Sequence, residues 1–203
     1  MTRKSLGLLG GSFDPIHNGH LGIARFIQNS LALTKLVFIP AYVSPFKTWK
    51  QAAPALDRYA MVKLAVAGEP AWEASDWEIK KTGISYSYDT IAHFKEEYGS
   101  AYDLYFIIGA DSALELDKWY RIDEALQLCT FLVASRPGST DKVELMKKAL
   151  AAKHLTNIMW MKTPEIAVSS TEIREKIQKG LSIDGLVPQA IVEYIRQRDL
   201  YRR

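Results

Sequence analysis

The chain has 203 residues, 48% of them hydrophobic and 24% charged, with a formal net charge of +3, which fits one domain with a substantial core and excludes a disordered chain. No apolar run approaches the roughly 20 residues of a membrane helix, residues 1–4 lead into a strand without the apolar stretch of a signal peptide, and the single Cys129 reads as a buried thiol, so a cytoplasmic protein is expected. Basic residues are dispersed except for Arg196, Arg198, Arg202 and Arg203, which read as a solvated face, so no nucleic acid or membrane is an expected partner; self-association stays open.

Residues 6–9 are apolar and bounded by glycines, the pattern of a strand buried on both faces. Gly10 and Gly11 end it, and Ser12, Phe13 and Asp14-Pro15 lead into a helix predicted over about 18–30, with Leu21, Ala24 and Ile27 on its apolar face. A glycine turn opening onto a helix N-terminus suits an anion, because glycine lets main-chain N–H groups approach closely and the helix dipole favours negative charge there. His17 and His20 stand at i and i+3, so both imidazoles face one side and can converge on one ligand, with Gly19 leaving room between them; the other reading is that they cap or pack. Neither G-x-x-x-x-G-K-[ST] nor a G-x-G-x-x-G after the first strand occurs, which excludes a P-loop and a dinucleotide-dehydrogenase fingerprint.

Further apolar runs at 36–39, 104–108, 131–134 and 158–161 alternate with helical patterns such as 57–67 and 142–152, which predicts an α/β fold with a doubly wound parallel sheet. Polar motifs follow these runs, where such sheets bind ligands. After the second run comes a proline-containing loop with Lys47, a point charge for phosphate or a solvated lysine, and residues 42–53 are a candidate lid. After the third come Gly109, Ala110 and Asp111, with the carboxylate opening a helix that Trp119 and Tyr120 end. Arg136 follows the fourth run, near phosphates or simply terminating the strand. Ser169 and Glu172 have capping-box spacing and Gly180 supplies a stop, so a helix begins there, and Ser170, Thr171 and Arg174 make its N-terminus a second anion site.

Gly10 to His20 is similar to the signature of the [HT]-x-G-H nucleotidyltransferase superfamily, and its wording is nearest to the bacterial nicotinate-nucleotide adenylyltransferases. The resemblance extends to residues 106–112, to 168–174 and to 186–201, and it implies one Rossmann-like nucleotidyltransferase domain over residues 1–203, with a helical C-terminal portion from about 169. It further implies that Gly10, Gly11, Ser12, Phe13, Gly19, Gly109, Asp111, Arg136, Ser170 and Thr171 bind ATP and that His17, His20, Lys47 and Arg174 carry catalysis. Residues 83–90 resemble the family's S-Y-T-x-D-T segment with Ser87 in place of threonine, so main-chain N–H groups near Tyr86 and Ser87 would receive a nicotinate carboxylate and Trp119-Tyr120 would stack on the pyridine ring. The implied partners are ATP and nicotinate mononucleotide, with Mg²⁺ held mainly through phosphates and no protein metal cage; Asp14 is the carboxylate nearest that role, although Asp14-Pro15 also makes a turn. Nicotinamide mononucleotide, phosphopantetheine as acceptor, or a non-catalytic nucleotide sensor are the rival readings.

Overall fold

The computed structural model describes residues 3–45, 52–135 and 140–202. In chain order the elements are β1 (Lys4–Gly11), α1 (Asn18–Leu31), β2 (Lys35–Pro40), α2 (Ala55–Val66), β3 (Trp72–Ala74), α3 (Trp77–Lys81), α4 (Ser87–Tyr98), β4 (Tyr102–Gly109), α5 (Ala110–Ala113), α6 (Ile122–Leu128), β5 (Thr130–Ser135), α7 (Thr140–Ala152), β6 (Ile158–Lys162), α8 (Ser170–Gln178) and α9 (Gln189–Gln197). Short 3-10 turns lie at Gly99–Ala101 and Leu116–Lys118. The strands form a six-stranded sheet in the order β3-β2-β1-β4-β5-β6, and the β1-β4, β4-β5 and β5-β6 pairs are parallel. The chain steps outward from β1 to β3, returns to pair β4 with β1, and steps outward the other way, which is the doubly wound α/β arrangement expected from the alternation of apolar runs and helices.

By its contacts the chain divides into two compact units. The first comprises Met1–Gly10, Phe26–Leu36 and Tyr86–Glu165. Its core comes from strands whose register sets Leu6 against Leu104, Leu8 against Phe106 and Phe106 against Phe131, all buried. Such strands are buried on both faces, which is why they read as unbroken apolar runs rather than alternating ones. Ile91 and Phe94 of α4 and Ala125 of α6 are buried in the same unit. Cys129 is buried as expected, its Sγ near the Ala125 carbonyl, and burial pushes its thiol up to about 12, out of reach of nucleophilic chemistry at neutral pH.

The second unit comprises Gly11–Arg25, Val37–Ser85 and Ile166–Arg203. Its buried side chains include Phe13, Ile16, Phe38, Met61, Ile173 and Ile191. α8 is delimited as its sequence predicts: Ser169 Oγ accepts the Glu172 N–H at 3.1 Å, and past its end Gly180 takes φ +68°. There Gly180 N–H reaches Ile177 O at 3.0 Å and Leu181 N–H reaches Lys176 O at 2.8 Å, a Schellman closure. One expectation differs from the structure. The helix opened by Asp111 is a single turn, because Glu115 leaves helical angles (φ −112°, ψ 15°) and a separate 3-10 turn precedes Trp119. Arg196, Arg198 and Arg202 are exposed as expected, and Arg198 Nε also donates to buried Asp57 at 2.9 Å.

Candidate active site

The signature loop passes from the end of β1 into α1 in the second unit, and its histidines are organised by the helix start itself. His17 is the residue before α1, and its carbonyl accepts the first helical bond, from Leu21 N–H at 3.2 Å. His17 Nδ1 accepts the His20 N–H and His20 Nδ1 accepts the His17 N–H, each at 3.3 Å. This is the reciprocal pattern of a capping box, made here by two imidazoles instead of Ser and Glu. The rings stack with centroids 3.7 Å apart and planes 22° from parallel. Because each Nδ1 accepts, the proton of each ring sits on Nε2, so the cap fixes the tautomer that offers two Nε2–H donors. His17 is buried and burial lowers its pKa from 6.5 to about 4, so it is a neutral donor at physiological pH. The capping reading is thus observed, and it uses one nitrogen, Nδ1, of each ring.

Glycine is required beneath this pair. A Cβ on Gly19 would lie 2.9 Å from His17 Nδ1 and 3.0 Å from Cε1. Phe13, at φ +46°, is buried with its ring edge-on to His20 (centroids 5.2 Å, 78°) and against Phe38, and a Cβ on Gly11 would come within 3.2 Å of that ring. Phe13 therefore supports His20 with a buried side chain, which leaves its main chain as the part that can meet a ligand. Ser12 accepts Arg58 Nη1 with its carbonyl at 2.7 Å.

The N-terminus of α8 is tied to the same loop. Ser170 Oγ donates to Pro15 O at 3.0 Å, Arg174 Nη1 donates to Asp14 O at 2.7 Å and Arg174 Nη2 to Thr171 Oγ1 at 3.3 Å. The two anion-suited helix starts recognised in the sequence thus share one locality, with a guanidinium between them. Asp14, which precedes a cis peptide bond to Pro15, is buried and its Oδ1 accepts both Ala53 N–H (2.9 Å) and Tyr201 O–H (2.7 Å). Through Oδ1 the carboxylate thus ties the loop to Ala53 and Tyr201.

Arg58 and Tyr201 are the residues that sequence reasoning missed. Arg58, 1% exposed, donates to the carbonyls of Ser12, Tyr42 and Ala53, and so fastens both ends of the 42–53 segment to the signature loop. Burial lowers its pKa while Asp14 and Glu78 oppose the loss of charge. Lys47, within that segment, and Arg136 lie outside the described residues.

In the first unit, the segment resembling S-Y-T-x-D-T runs from Tyr86, immediately before α4, through Ser87, its first residue, into its first turn. The early N–H groups of a helix have no carbonyl one turn back, which makes this a place for a carboxylate. Tyr86 and Tyr120 lie 4.6 Å apart at 36°, Tyr88 meets Tyr120 edge-on at 6.3 Å, and the Arg121 guanidinium lies 3.8 Å over Tyr88 while pairing with Glu124. Trp119 is half-buried, edge-on to Phe106 and Phe131 at 6.4 and 6.2 Å. Gly109 and Asp111 are exposed where β4 passes into α5, and Gly10, on which a Cβ would meet the Phe106 ring at 3.4 Å, belongs to this unit. Among the described residues no cluster of three or more His, Cys, Asp or Glu is placed to hold a metal ion, and no helix is long and apolar enough to cross a membrane.

Comparison with known proteins agrees with this architecture. Residues 8–176 match the cytidylyltransferase-like family. The protein named "probable nicotinate-nucleotide adenylyltransferase" in Clostridium tetani is 44% identical over 98% of this chain and all of its own length, and the one so named in Moorella thermoacetica is 41% identical over 97% of this chain and 91% of its own. The solved Plasmodium falciparum nicotinic acid mononucleotide adenylyltransferase complexed with NaAD superposes with a TM-score of 0.78 at 20% identity, over 98% of this chain and 97% of that one, a likeness of fold. The chain belongs to the cytidylyltransferase-like family of nucleotidyltransferases and, within it, to the group of the nicotinate-nucleotide adenylyltransferases.

Proposed function

We propose that the protein transfers the adenylyl group of ATP to nicotinate mononucleotide, releasing pyrophosphate and forming nicotinate adenine dinucleotide in NAD biosynthesis. The observation that carries this reading is the histidine capping box, whose reciprocal Nδ1 bonds fix both rings as Nε2–H tautomers at a helix N-terminus, in the loop that Arg174 bonds through the Asp14 carbonyl. The names of the full-length relatives support the same acceptor.

The 5′-phosphate of nicotinate mononucleotide is already an anion, so its attack on the α-phosphorus needs no general base and no covalent enzyme intermediate. Catalysis then consists of positioning and of stabilising charge on the phosphoryl oxygens. His17 and His20 donate to the α- and β-phosphates, assisted by the main chain from Gly10 and Gly11 through Ser12 and by the start of α1. Arg174, with Ser170 and Thr171 at the start of α8, holds the outer phosphates, and Lys47 and Arg136 add positive charge. Gly109 and Asp111 contact the nucleoside. The nicotinate carboxylate takes main-chain N–H groups at Tyr86 and Ser87, and its ring stacks on Trp119 and Tyr120. The positive end of α4 favours an acid there over a neutral amide.

Mg²⁺, held through the phosphates of ATP, would neutralise part of their charge. Phosphate oxygens and water would supply most of the ion's coordination, and Asp14, whose Oδ1 accepts from Ala53 and Tyr201, is the carboxylate of the signature loop. Residues 1–203 act as one nucleotidyltransferase domain in the cytoplasm. The test is incubation with ATP, Mg²⁺ and nicotinate mononucleotide, with the product identified by mass. Equal amounts of pyrophosphate and nicotinate adenine dinucleotide are expected; ATP consumption without dinucleotide would refute the reading.

A further inference from the structure

Beyond α9 the chain is turned by two left-handed residues, Asp199 at φ +50° and Tyr201 at φ +66°. Asp199 completes a Schellman closure, with Leu200 N–H donating to Ile195 O at 3.1 Å and the Leu200 side chain buried. No helix end requires the second left-handed residue, and a bulky aromatic takes that conformation at a cost. What it achieves is delivery of the Tyr201 hydroxyl to Asp14 Oδ1 at 2.7 Å, across 187 residues of sequence.

At that point the phenol settles a competition. Asp14 Oδ2 lies 3.7 Å from Arg174 Nη1, near enough for charge attraction and too far for a hydrogen bond, while the same Nη1 donates to the Asp14 main-chain oxygen at 2.7 Å. A carboxylate free to rotate would close on the guanidinium as a direct pair and neutralise it. Oδ1, however, is pinned between Ala53 N–H and Tyr201 O–H. We propose that Tyr201 is a positioning residue for adenylyl transfer: its hydroxyl holds the Asp14 carboxylate off Arg174, so that the guanidinium charge stays available to the phosphates of ATP. Burial, reinforced by the negative charge of Asp14, raises the phenol's pKa far above its ordinary value, so it remains a donor at every assay pH.

The inference rests on the adenylyl-transfer reading and takes its control from the same region. Tyr194 of α9 also donates its hydroxyl to a buried carboxylate, Asp57 Oδ1 at 2.8 Å, which belongs to α2 and not to the signature loop. Tyr201→Phe and Tyr194→Phe therefore delete equivalent bonds, and each is assayed well below its melting temperature. Tyr201→Phe is expected to lower kcat/KM for ATP about tenfold, and to weaken a non-hydrolysable ATP analogue in calorimetry, while Tyr194→Phe stays within about twofold in both. In an Asp14→Asn background Tyr201→Phe is expected to add little, because the competing charge is already gone. Activity of Tyr201→Phe within twofold of wild type, equal losses in both phenylalanine variants, or a full additional loss in the Asp14→Asn background would overturn the proposal. Wild-type protein that makes no dinucleotide would refute the adenylyl-transfer reading instead; the analogue affinities of the same variants would still decide the role of Tyr201.

Discussion

Gly19→Ala separates stability from function at the histidine pair. The added Cβ would stand 2.9 Å from His17 Nδ1, and about half an ångström of movement is needed to reach the edge of ordinary contact. The atom in the way belongs to a side chain, so the ring yields rather than the backbone. That movement lengthens the 3.3 Å bond from His20 N–H to His17 Nδ1 beyond hydrogen-bond range. Losing the cap costs roughly 1 kcal/mol, and replacing a helical glycine by alanine returns roughly 1 kcal/mol, so thermal unfolding should change little. Activity should not be spared. A misplacement approaching 1 Å in a positioning site costs on the order of 100-fold, and half that displacement is expected to lower kcat about tenfold or more. Pyrophosphate release and differential scanning calorimetry on the same preparation test this. Wild-type kcat with unchanged stability would refute the claim that the His17 ring position matters.

Other outcomes follow from the same geometry. His20→Ala is expected to lower kcat by about 100-fold or more with little change in either KM, since its donor acts on charge developed during transfer; a variant with nearly full turnover would remove the central role given to it. Folded-state His17 has its pKa depressed to about 4 from 6.5, so as pH falls below 6.5 the unfolded chain takes the proton first and stability is lost between there and about pH 4. The loss amounts to at most about 3 kcal/mol, and urea titrations of wild type and His17→Gln should diverge over that window; parallel curves would contradict it. Asp57→Ala strips the partner from Tyr194 and Arg198 and should cost about 1–3 kcal/mol of stability while leaving kcat unchanged, as measured by urea unfolding and pyrophosphate release. Trp119→Ala should raise KM for nicotinate mononucleotide several-fold and leave KM for ATP near its wild-type value, with Trp119→Phe retaining part of the stacking.

Much of this was legible because it is local. The strand–glycine–helix junction, the i, i+3 histidines and the Ser169 cap each involve residues within a few positions of one another, so the spacing already contained the geometry. The paired apolar runs gave the sheet for the same reason, since buried parallel strands need no alternation. Arg58 and Tyr201 were not legible. Their partners lie 46 and 187 residues away, and an arginine early in a helix or a tyrosine beyond one looks like surface until the fold surrounds it with carbonyls or a carboxylate. Arg198 is exposed, as its sequence position suggests, and its bond to Asp57, 141 residues away, was equally hidden. The single-turn α5 escaped because Ala113, Leu114 and Leu116 mimic a helical apolar stripe, while Glu115 breaks it through backbone angles alone.

The most direct test of the central claim is pyrophosphate release with ATP and Mg²⁺, offering nicotinate mononucleotide and nicotinamide mononucleotide in parallel and comparing kcat/KM. A carboxylate received by the start of α4 should make the acid better by at least about tenfold, as one charge-assisted hydrogen bond suggests. Equal use of the two acceptors would contradict the carboxylate site, and no pyrophosphate with either would contradict the assignment of the histidine pair to adenylyl transfer.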